Sequence, residues 1–204
     1  MIISLDRIIR DYSLNIKGVL HIGAHYGQEY NDYINHGINN LIFFEPLKNN
    51  YNILLNNITL SDNVKAYNIA LGNFTGDVEM NVETFNQGMS SSILTPDIHL
   101  RQYPNITFDS KETVNIDKLD NISFDRNAFN MINMDVQGYE LEVLKGGIET
   151  LNTIDIVYTE VNRDSVYKNC CRIEELDKFL GEFGFKRVLT DWAGDTWGDA
   201  LYKK

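Results

Sequence analysis

A chain of 204 residues with 43% apolar, 11% aromatic and 23% charged residues has the composition of an ordinary soluble globular domain with material for a real core, which excludes disordered and fibrous classes. Its 18 Lys and Arg stand against 29 Asp and Glu, a formal charge of -11. Such a chain repels phosphate backbones and anionic membranes unless a basic patch intervenes, and none is visible, so no nucleic-acid partner is expected.

Ile2, Leu5, Ile9 and Tyr12 recur at helical spacing, so residues 2 to 14, within an N-terminal segment 1 to 16, are predicted to form an amphipathic helix that caps a sheet. Gly18 to Ile22 is a short apolar run predicted as a strand, followed by a turn and a helix over Gln28 to His36. Leu41 to Phe44 is a second strand, Leu47 to Asn57 a helix with its apolar residues on one face, and Val64 to Ala70 a third strand. This alternation predicts βαβ units and a parallel sheet covered on both faces.

From about Leu71 to Leu119 the pattern breaks into short alternating pieces around Asn86-Gln-Gly-Met-Ser-Ser-Ser92. That predicts a loop-rich insertion with a hairpin or edge strands, its small hydroxyl residues forming a flexible cover over a site. The alternation then returns: a strand over Phe129 to Met134, a helix over Tyr139 to Thr150, a strand over Ile154 to Val161 and a helix over Ile173 to Phe183. Phe185 to Thr190 and Asp199 to Tyr202 read as a closing antiparallel hairpin, so residues 1 to 204 are expected to form a single domain.

Asp6, Arg7 and Arg10 lie where a signal peptide would need its apolar stretch, and no run approaches the roughly 20 apolar residues of a membrane span. With only the adjacent Cys170 and Cys171 for thiols, which read as small residues ahead of a helix, a cytoplasmic setting is expected. Asn57, Asn73, Asn105 and Asn121 open N-x-[ST] triplets, as chance provides in so asparagine-rich a chain.

The first strand ends in His21-Ile-Gly-Ala-His-Tyr-Gly27, a G-x-x-x-G turn opening a helix. Its glycines suit close approach of a ligand and the helix start offers unpaired N–H groups. The G-x-G-x-x-G spacing of dinucleotide binders is missing, which disfavours an NAD-dependent oxidoreductase, and a plain tight turn is an equal reading. Glu45 ends the second strand 22 residues after Gly23, the place where an acidic residue accepts hydrogen bonds from a ribose; a plain surface carboxylate is the alternative. Asp135 ends one later strand and Glu160 lies near the end of the next. Ligands of open α/β sheets bind outside the carboxyl ends of the strands, so all four elements should face one crevice. Asp135 could instead cap the helix beginning near Gly138. Two carboxylates are few for a hard divalent metal, and none is expected. His21 could pack beneath the turn or touch a ligand, His36 and His99 are expected at the surface, and Trp192 and Trp197 are expected in core packing rather than in a substrate pocket.

Together with Phe44-Glu-Pro46, Asn68-Ile-Ala-Leu-Gly72, Ser90-Ser-Ser-Ile-Leu94, Ile116-Asp-Lys-Leu-Asp120, Met134-Asp-Val-Gln-Gly-Tyr-Glu140 and Val143-Leu-Lys-Gly-Gly147, the first motif makes residues 18 to 190 resemble the FkbM family of S-adenosylmethionine-dependent methyltransferases. The resemblance implies an α/β, class I methyltransferase Rossmann-like fold: a seven-stranded, mostly parallel sheet with helices on both faces and an antiparallel last strand. It implies S-adenosyl-L-methionine as cofactor, with the turn from Gly23 through Ala24 to Gly27 along its methionine part and Glu45, beside Pro46, at the ribose. Asn68 and Ala70 would border the adenine, Ser91 would lie in the cover, and Asp135 near the methyl group.

Two positions depart from the family pattern. His21 stands where an aspartate often opens the first motif, so a carboxylate contact to the methionine amino group would either be missing or be supplied by Glu29. Gln137 stands where many members carry glutamate, which removes one negative charge beside the acceptor. The resemblance further implies methylation of a hydroxyl on a sugar, glycan or other small molecule, with Asp135 or Glu160 as the catalytic carboxylate. A catalytically silent domain that binds a nucleoside or a protein partner is the alternative.

Overall fold

The computed structural model describes residues 2 to 204. A short helix α1 (Leu5–Tyr12) precedes the strand β1 (Gly18–Ile22), helix α2 (Tyr30–Asn35), strand β2 (Asn40–Phe44), helix α3 (Lys48–Asn57) and strand β3 (Val64–Tyr67). The return half comprises β7 (Met131–Met134), the helices α5 (Glu140–Lys145) and α6 (Ile148–Leu151), β8 (Ile156–Asn162), α7 (Ile173–Glu182), β9 (Lys186–Ala193) and β10 (Trp197–Lys203). Seven strands form one sheet in the order β3-β2-β1-β7-β8-β10-β9. All neighbours pair in parallel except β10, which runs antiparallel between β8 and β9.

The central strands β1, β2, β7 and β8 are buried at almost every position, whereas the edge strands β3 and β9 are largely exposed or half-buried. Leu20, Ile22, Ile42, Phe44, Ile132 and Met134 pack toward α5, α6 and α7, whereas Val19, Leu41, Phe43 and Met131 pack toward α1, α2 and α3. Each fully buried Leu, Ile or Phe contributes about 1.5–3 kcal/mol, so the two layers carry most of the fold's stability. α1 begins at Ser4, whose Oγ accepts from Arg7 N at 3.3 Å, and ends at Ser13 in the left-handed region. The segment before it is held by the sheet itself: Asp199 on β10 accepts from Ile2 N and, at 3.3 Å, from Ile3 N. Met1, part of the N-terminal segment predicted as helix, lies outside the described residues.

Three expectations about elements change. The third strand stops at Tyr67 because Asn68 turns its amide onto the carbonyls of Glu45 and Pro46, at 3.0 and 2.7 Å. Ala70 then enters a different strand, β4 (Ala70–Leu71). The helix expected over Tyr139 to Thr150 is two helices, because Asp120 caps the second by accepting from Glu149 N and Thr150 N at 2.8 and 2.9 Å. The closing hairpin is longer than its apolar core: its strands reach Trp192 and Trp197, leaving only residues 194 to 196 as the turn.

The stretch from 71 to 119 supplies β5 (Gly76–Val82), the short helix α4 (Ile98–Gln102) and β6 (Ser110–Asp117). With β4 they make a separate three-stranded sheet, β4-β6-β5, rather than edge strands of the main one. Leu47, Ala70, Met80, Val114 and Ile116 form its small core. Asp97 N and Ile98 N donate to Val166 and Ser165 carbonyls at 3.0 and 3.1 Å, and Lys168 N to Thr95 at 2.8 Å. Those bonds fasten the insertion to the loop after β8, over the carboxyl ends of the strands.

Candidate active site

A crevice opens where β1, β2, β7 and β8 end beneath that insertion. Its first half, about 600 Å³, is lined mainly by Ile22, Phe44, Ile69, Leu71, Met80, Ile93 and Tyr139, with Glu45, Pro46, Ala70 and Ser91. Its second half, about 1110 Å³, is bordered by His21, Ala24, Gln28, Glu29, His99, Tyr103, Glu160 and Trp197. Gly23, His25, Met89, Asp135 and Gln137 line both halves, so the two are one groove with a shared waist. An apolar slot continuous with a more polar pocket, with a few convergent polar groups, is the form of small-molecule sites.

Of the residues singled out in the sequence, Gly23, Glu45, Pro46, Ala70, Ser91 and Asp135 border the first half, and His21, Ala24, Glu29 and Glu160 the second. Gly27 and Asn68 border neither. Gly27 packs its backbone against Leu54 of α3, and Asn68 holds the turn after β2.

The glycine turn serves the chain before it serves any ligand. Gly23 sits at φ +78, and a Cβ there would collide with the carbonyl of Asp135 at the end of β7. The unpaired N–H groups expected in the turn are engaged: Gly23 N and Ala24 N both donate to Phe44 O at 3.0 Å, and His25 N donates to Glu45 Oε2 at 2.8 Å. α2 begins only at Tyr30. A pyrophosphate would find no nest of free amides in Gly23, Ala24 and His25, which argues against dinucleotide binding on grounds independent of the missing glycine spacing.

Glu45 is only 4% exposed, so it is not a surface carboxylate. Its second oxygen accepts from Leu47 N at 2.9 Å, and burial pushes its pKa up to about 8 despite the two backbone donors. The carboxyl is fixed at the end of β2, bordering the groove.

Across the waist, the Gln137 amide donates to Asp135 Oδ1 at 2.7 Å and to Glu160 Oε2 at 2.9 Å. Gln137 reaches this position from a left-handed backbone, φ 55, a conformation uncommon for residues other than glycine and held by its surroundings. Ser92 Oγ donates to its carbonyl at 2.8 Å, and the Tyr167 hydroxyl lies 2.7 Å from its Oε1. Burial raises the pKa of Asp135. Burial and the neighbouring Asp135 and Glu140 charges raise that of Glu160 well above the carboxylate range. The NH₂ of Gln137 thus stands between two carboxyls that a glutamate would have joined as a third acid.

Asp135 does not cap the following helix. No side chain caps its start; the turn before it is held by Glu140, fully buried, whose Oε1 accepts from Val136 N and Gly138 N at 3.2 and 3.0 Å. Burial pushes Glu140 up to about 7. It was identifiable only as an acidic residue in the first turn of a helix. Tyr167, in the irregular stretch between β8 and α7, carried no periodicity that could mark it.

Four further expectations change. The cover's serines are buried and bonded rather than loose: Ser91 Oγ accepts from Glu83 N at 3.0 Å, and Ser92 Oγ accepts from Leu94 N at 3.0 Å. His99 is 3% exposed, not on the surface, with its ring enclosed by Tyr103, Phe108 and Tyr167. Trp197 packs against the buried cluster of Val166, Tyr167 and Cys170, as expected, and lines the groove as well. His21 combines its two readings, since it is buried beneath the turn with Tyr33 OH 3.3 Å from its Nδ1 and also borders the groove. Its Nε2 lies 4.0 Å from Glu29, and burial lowers its pKa from the ordinary value of 6.5, which favours the neutral imidazole at pH 7.

Among the described residues, no group of three or more His, Cys, Asp or Glu is arranged to hold a metal ion, and no helix is long and apolar enough to cross a membrane.

Comparison with known proteins gives these features a context. Residues 21–187 match the model of the methyltransferase FkbM domain. The chain is 26% identical over 149 residues to the 2-O-methyltransferase NoeI of Sinorhizobium fredii, an alignment that spans 70% of this chain and 60% of that relative. In structure it is similar to the N-methyltransferase NodS from Bradyrhizobium japonicum WM9, with a TM-score of 0.55 at 11% identity over 98% of this chain and 93% of that one. It is equally similar to magnesium protoporphyrin IX methyltransferase from Synechocystis PCC 6803 with bound SAM, at 0.55 and 8% identity, covering 98% and 75%. The sheet order and the antiparallel β10 are those of the class I methyltransferase fold.

Proposed function

The chain belongs to the FkbM methyltransferase family, and from that premise we propose that it binds S-adenosyl-L-methionine in the groove and methylates a hydroxyl of a sugar, glycan or other small molecule. The observation that carries the reading is the convergence of Glu45, the Gly23 turn and Asp135 on one groove, with an apolar slot on one side and a carboxyl pair on the other. The cofactor supplies an electrophilic methyl on a positively charged sulfur. Glu45 is oriented by two backbone donors so that it can accept hydrogen bonds from ribose hydroxyls. Ile22, Phe44, Ile69, Leu71 and Met80 offer the apolar surface an adenine needs, with Ala70 and Ser91 at its border. Glu29 lies where it can meet a methionine ammonium, the part that His21, neutral in its favoured form, leaves open.

At the waist, Asp135 or Glu160 takes the acceptor's hydroxyl proton or orients that hydroxyl. Gln137 holds the two carboxyls in register. Positioning two reactants supplies on the order of 7 to 11 kcal/mol, and a general base about 10²- to 10⁴-fold, roughly 3 to 5 kcal/mol. Alignment is the larger part, and a groove built from fixed backbone contacts is suited to it.

Oxygen is favoured as the acceptor atom by the relative that is a 2-O-methyltransferase. A phosphorylated or nucleic-acid acceptor is disfavoured because neither Lys nor Arg lines either half of the groove. The two free thiols, both buried, suit a cytoplasmic setting. The test is transfer of a radiolabelled methyl group from S-adenosylmethionine to pooled small-molecule glycosides. Labelled product supports the reading; tight cofactor binding without transfer to any hydroxyl acceptor would point to a catalytically silent domain.

A further inference from the structure

The outer end of the groove, away from the adenosine slot, has a construction of its own. Tyr103 closes α4 and Trp197 opens β10, yet Trp197 Nε1 donates to the Tyr103 hydroxyl at 2.8 Å. Gln102 and Thr196 beside them exchange two hydrogen bonds, at 2.8 and 3.0 Å. The pair is therefore fixed before any ligand arrives, and the one N–H of Trp197 is occupied. What Trp197 offers a ligand is its ring.

His99 completes this end. It is 97% buried, being 3% exposed, and lines the groove. Its Nδ1 has no hydrogen-bond partner among the described residues, and its ring is bounded by Tyr103, Phe108 and Tyr167 at 5.1 to 5.5 Å between centroids. Buried polar groups are normally bonded; Nδ1 is sealed inside the cage, so the part of the imidazole that borders the groove is what can meet a ligand. The cage is one residue from the waist, since Tyr167 also touches Gln137.

We propose that this end is an acceptor subsite for a sugar ring, with Trp197 and Tyr103 against the ring's C–H face and His99 hydrogen-bonding one of its hydroxyls. A sugar ring combines an apolar face with a rim of hydroxyls, which matches an aromatic wall beside a single buried imidazole. A phosphate-bearing ligand would meet no cation here. The assignment rests on the methyl-transfer reading and specifies which residues choose the acceptor.

The test is saturation-transfer NMR on the protein loaded with S-adenosylhomocysteine, using a panel of methyl hexopyranosides beside phenols and alkylamines. Wild-type protein transfers saturation to ring C–H protons of at least one hexopyranoside. Trp197→Ala and His99→Phe each weaken that binding by about fivefold or more, Trp197→Phe retains most of it, and all three keep wild-type affinity for S-adenosylhomocysteine. Preference for phenols or amines, absence of any hexopyranoside signal, or unchanged sugar binding in both Trp197→Ala and His99→Phe would overturn the subsite. So would loss of cofactor affinity in all three variants. Failure of wild-type protein to bind S-adenosylhomocysteine would instead break the methyltransferase reading itself.

Discussion

The slot beneath Glu45 and the pocket around Asp135 share the Gly23 wall but are built from different materials. The slot is a continuation of the sheet's apolar core, with one carboxyl held by two backbone amides. The pocket concentrates buried acids, in which Asp135 and Glu160 are kept apart by one amide and Glu140 lies just behind. The slot is stable with or without a ligand, because hydrophobic burial does not depend on charge. The pocket is under electrostatic load that a cationic ligand relieves, so its burden falls on the unliganded protein.

The sharpest way to break this contrast is at the carboxyl pair. Asp135→Asn and Glu160→Gln, assayed separately at saturating cofactor, are expected to include at least one that lowers kcat by about 10²- to 10⁴-fold. If both turn over like the wild type, the pair is not the base. Next in size is Gly23→Ala, expected to lower unfolding free energy in urea by roughly 3 kcal/mol or more, because it combines a left-handed φ with a collision against the Asp135 backbone. A loss of cofactor affinity without loss of stability would show that the turn serves the ligand first.

The electrostatic load predicts a pH profile. Glu45 and Glu140 have folded pKa values raised to about 8 and about 7 by burial, above the value near 4.3 of an unfolded glutamate. Between those values the folded state binds more protons than the unfolded one, so stability falls as pH rises. Below the unfolded value the contribution is fully present; above about 8 it has gone. Melting curves without ligand should therefore lose stability between pH 5 and pH 8, on the order of 6 kcal/mol for the two groups together, and Glu45→Gln should flatten the slope. The smallest effect is expected from Tyr167→Phe, which removes one hydroxyl from Gln137 and the Ser90 carbonyl. It should cost about 1 kcal/mol in a urea titration and leave the pH slope unchanged.

The parallel sheet was legible because each of its strands is a compact apolar run bounded by polar turns, and the crevice followed from the rule that ligands meet the carboxyl ends of such strands. Glu45, Asp135 and Glu160 could be placed by that rule alone. The rest depends on contacts between distant residues. Nothing local distinguishes Asn68, whose amide redirects the chain into a second sheet, from the many other asparagines. His99 sits in a five-residue helix amid polar neighbours, and only the loop around Val166 and Tyr167 buries it. Trp197 reads as core in a hairpin and becomes a groove wall because α4 brings Tyr103 to it. Gly23 invited a ligand-centred reading, whereas the Asp135 backbone explains its missing side chain.

The central claim is that one fixed, buried carboxylate at the end of β2 anchors the cofactor in the groove. Calorimetric titration of wild-type protein and Glu45→Ala with S-adenosylmethionine at pH 7.5, repeated in two buffers of different ionisation enthalpy, tests it. Binding by the wild type with net proton release, and affinity lower by about 10- to 100-fold in Glu45→Ala, is the expected result, since charge-assisted hydrogen bonds are worth about 1.5–3 kcal/mol each. Equal affinity in the two proteins, or no binding by the wild type, would contradict it.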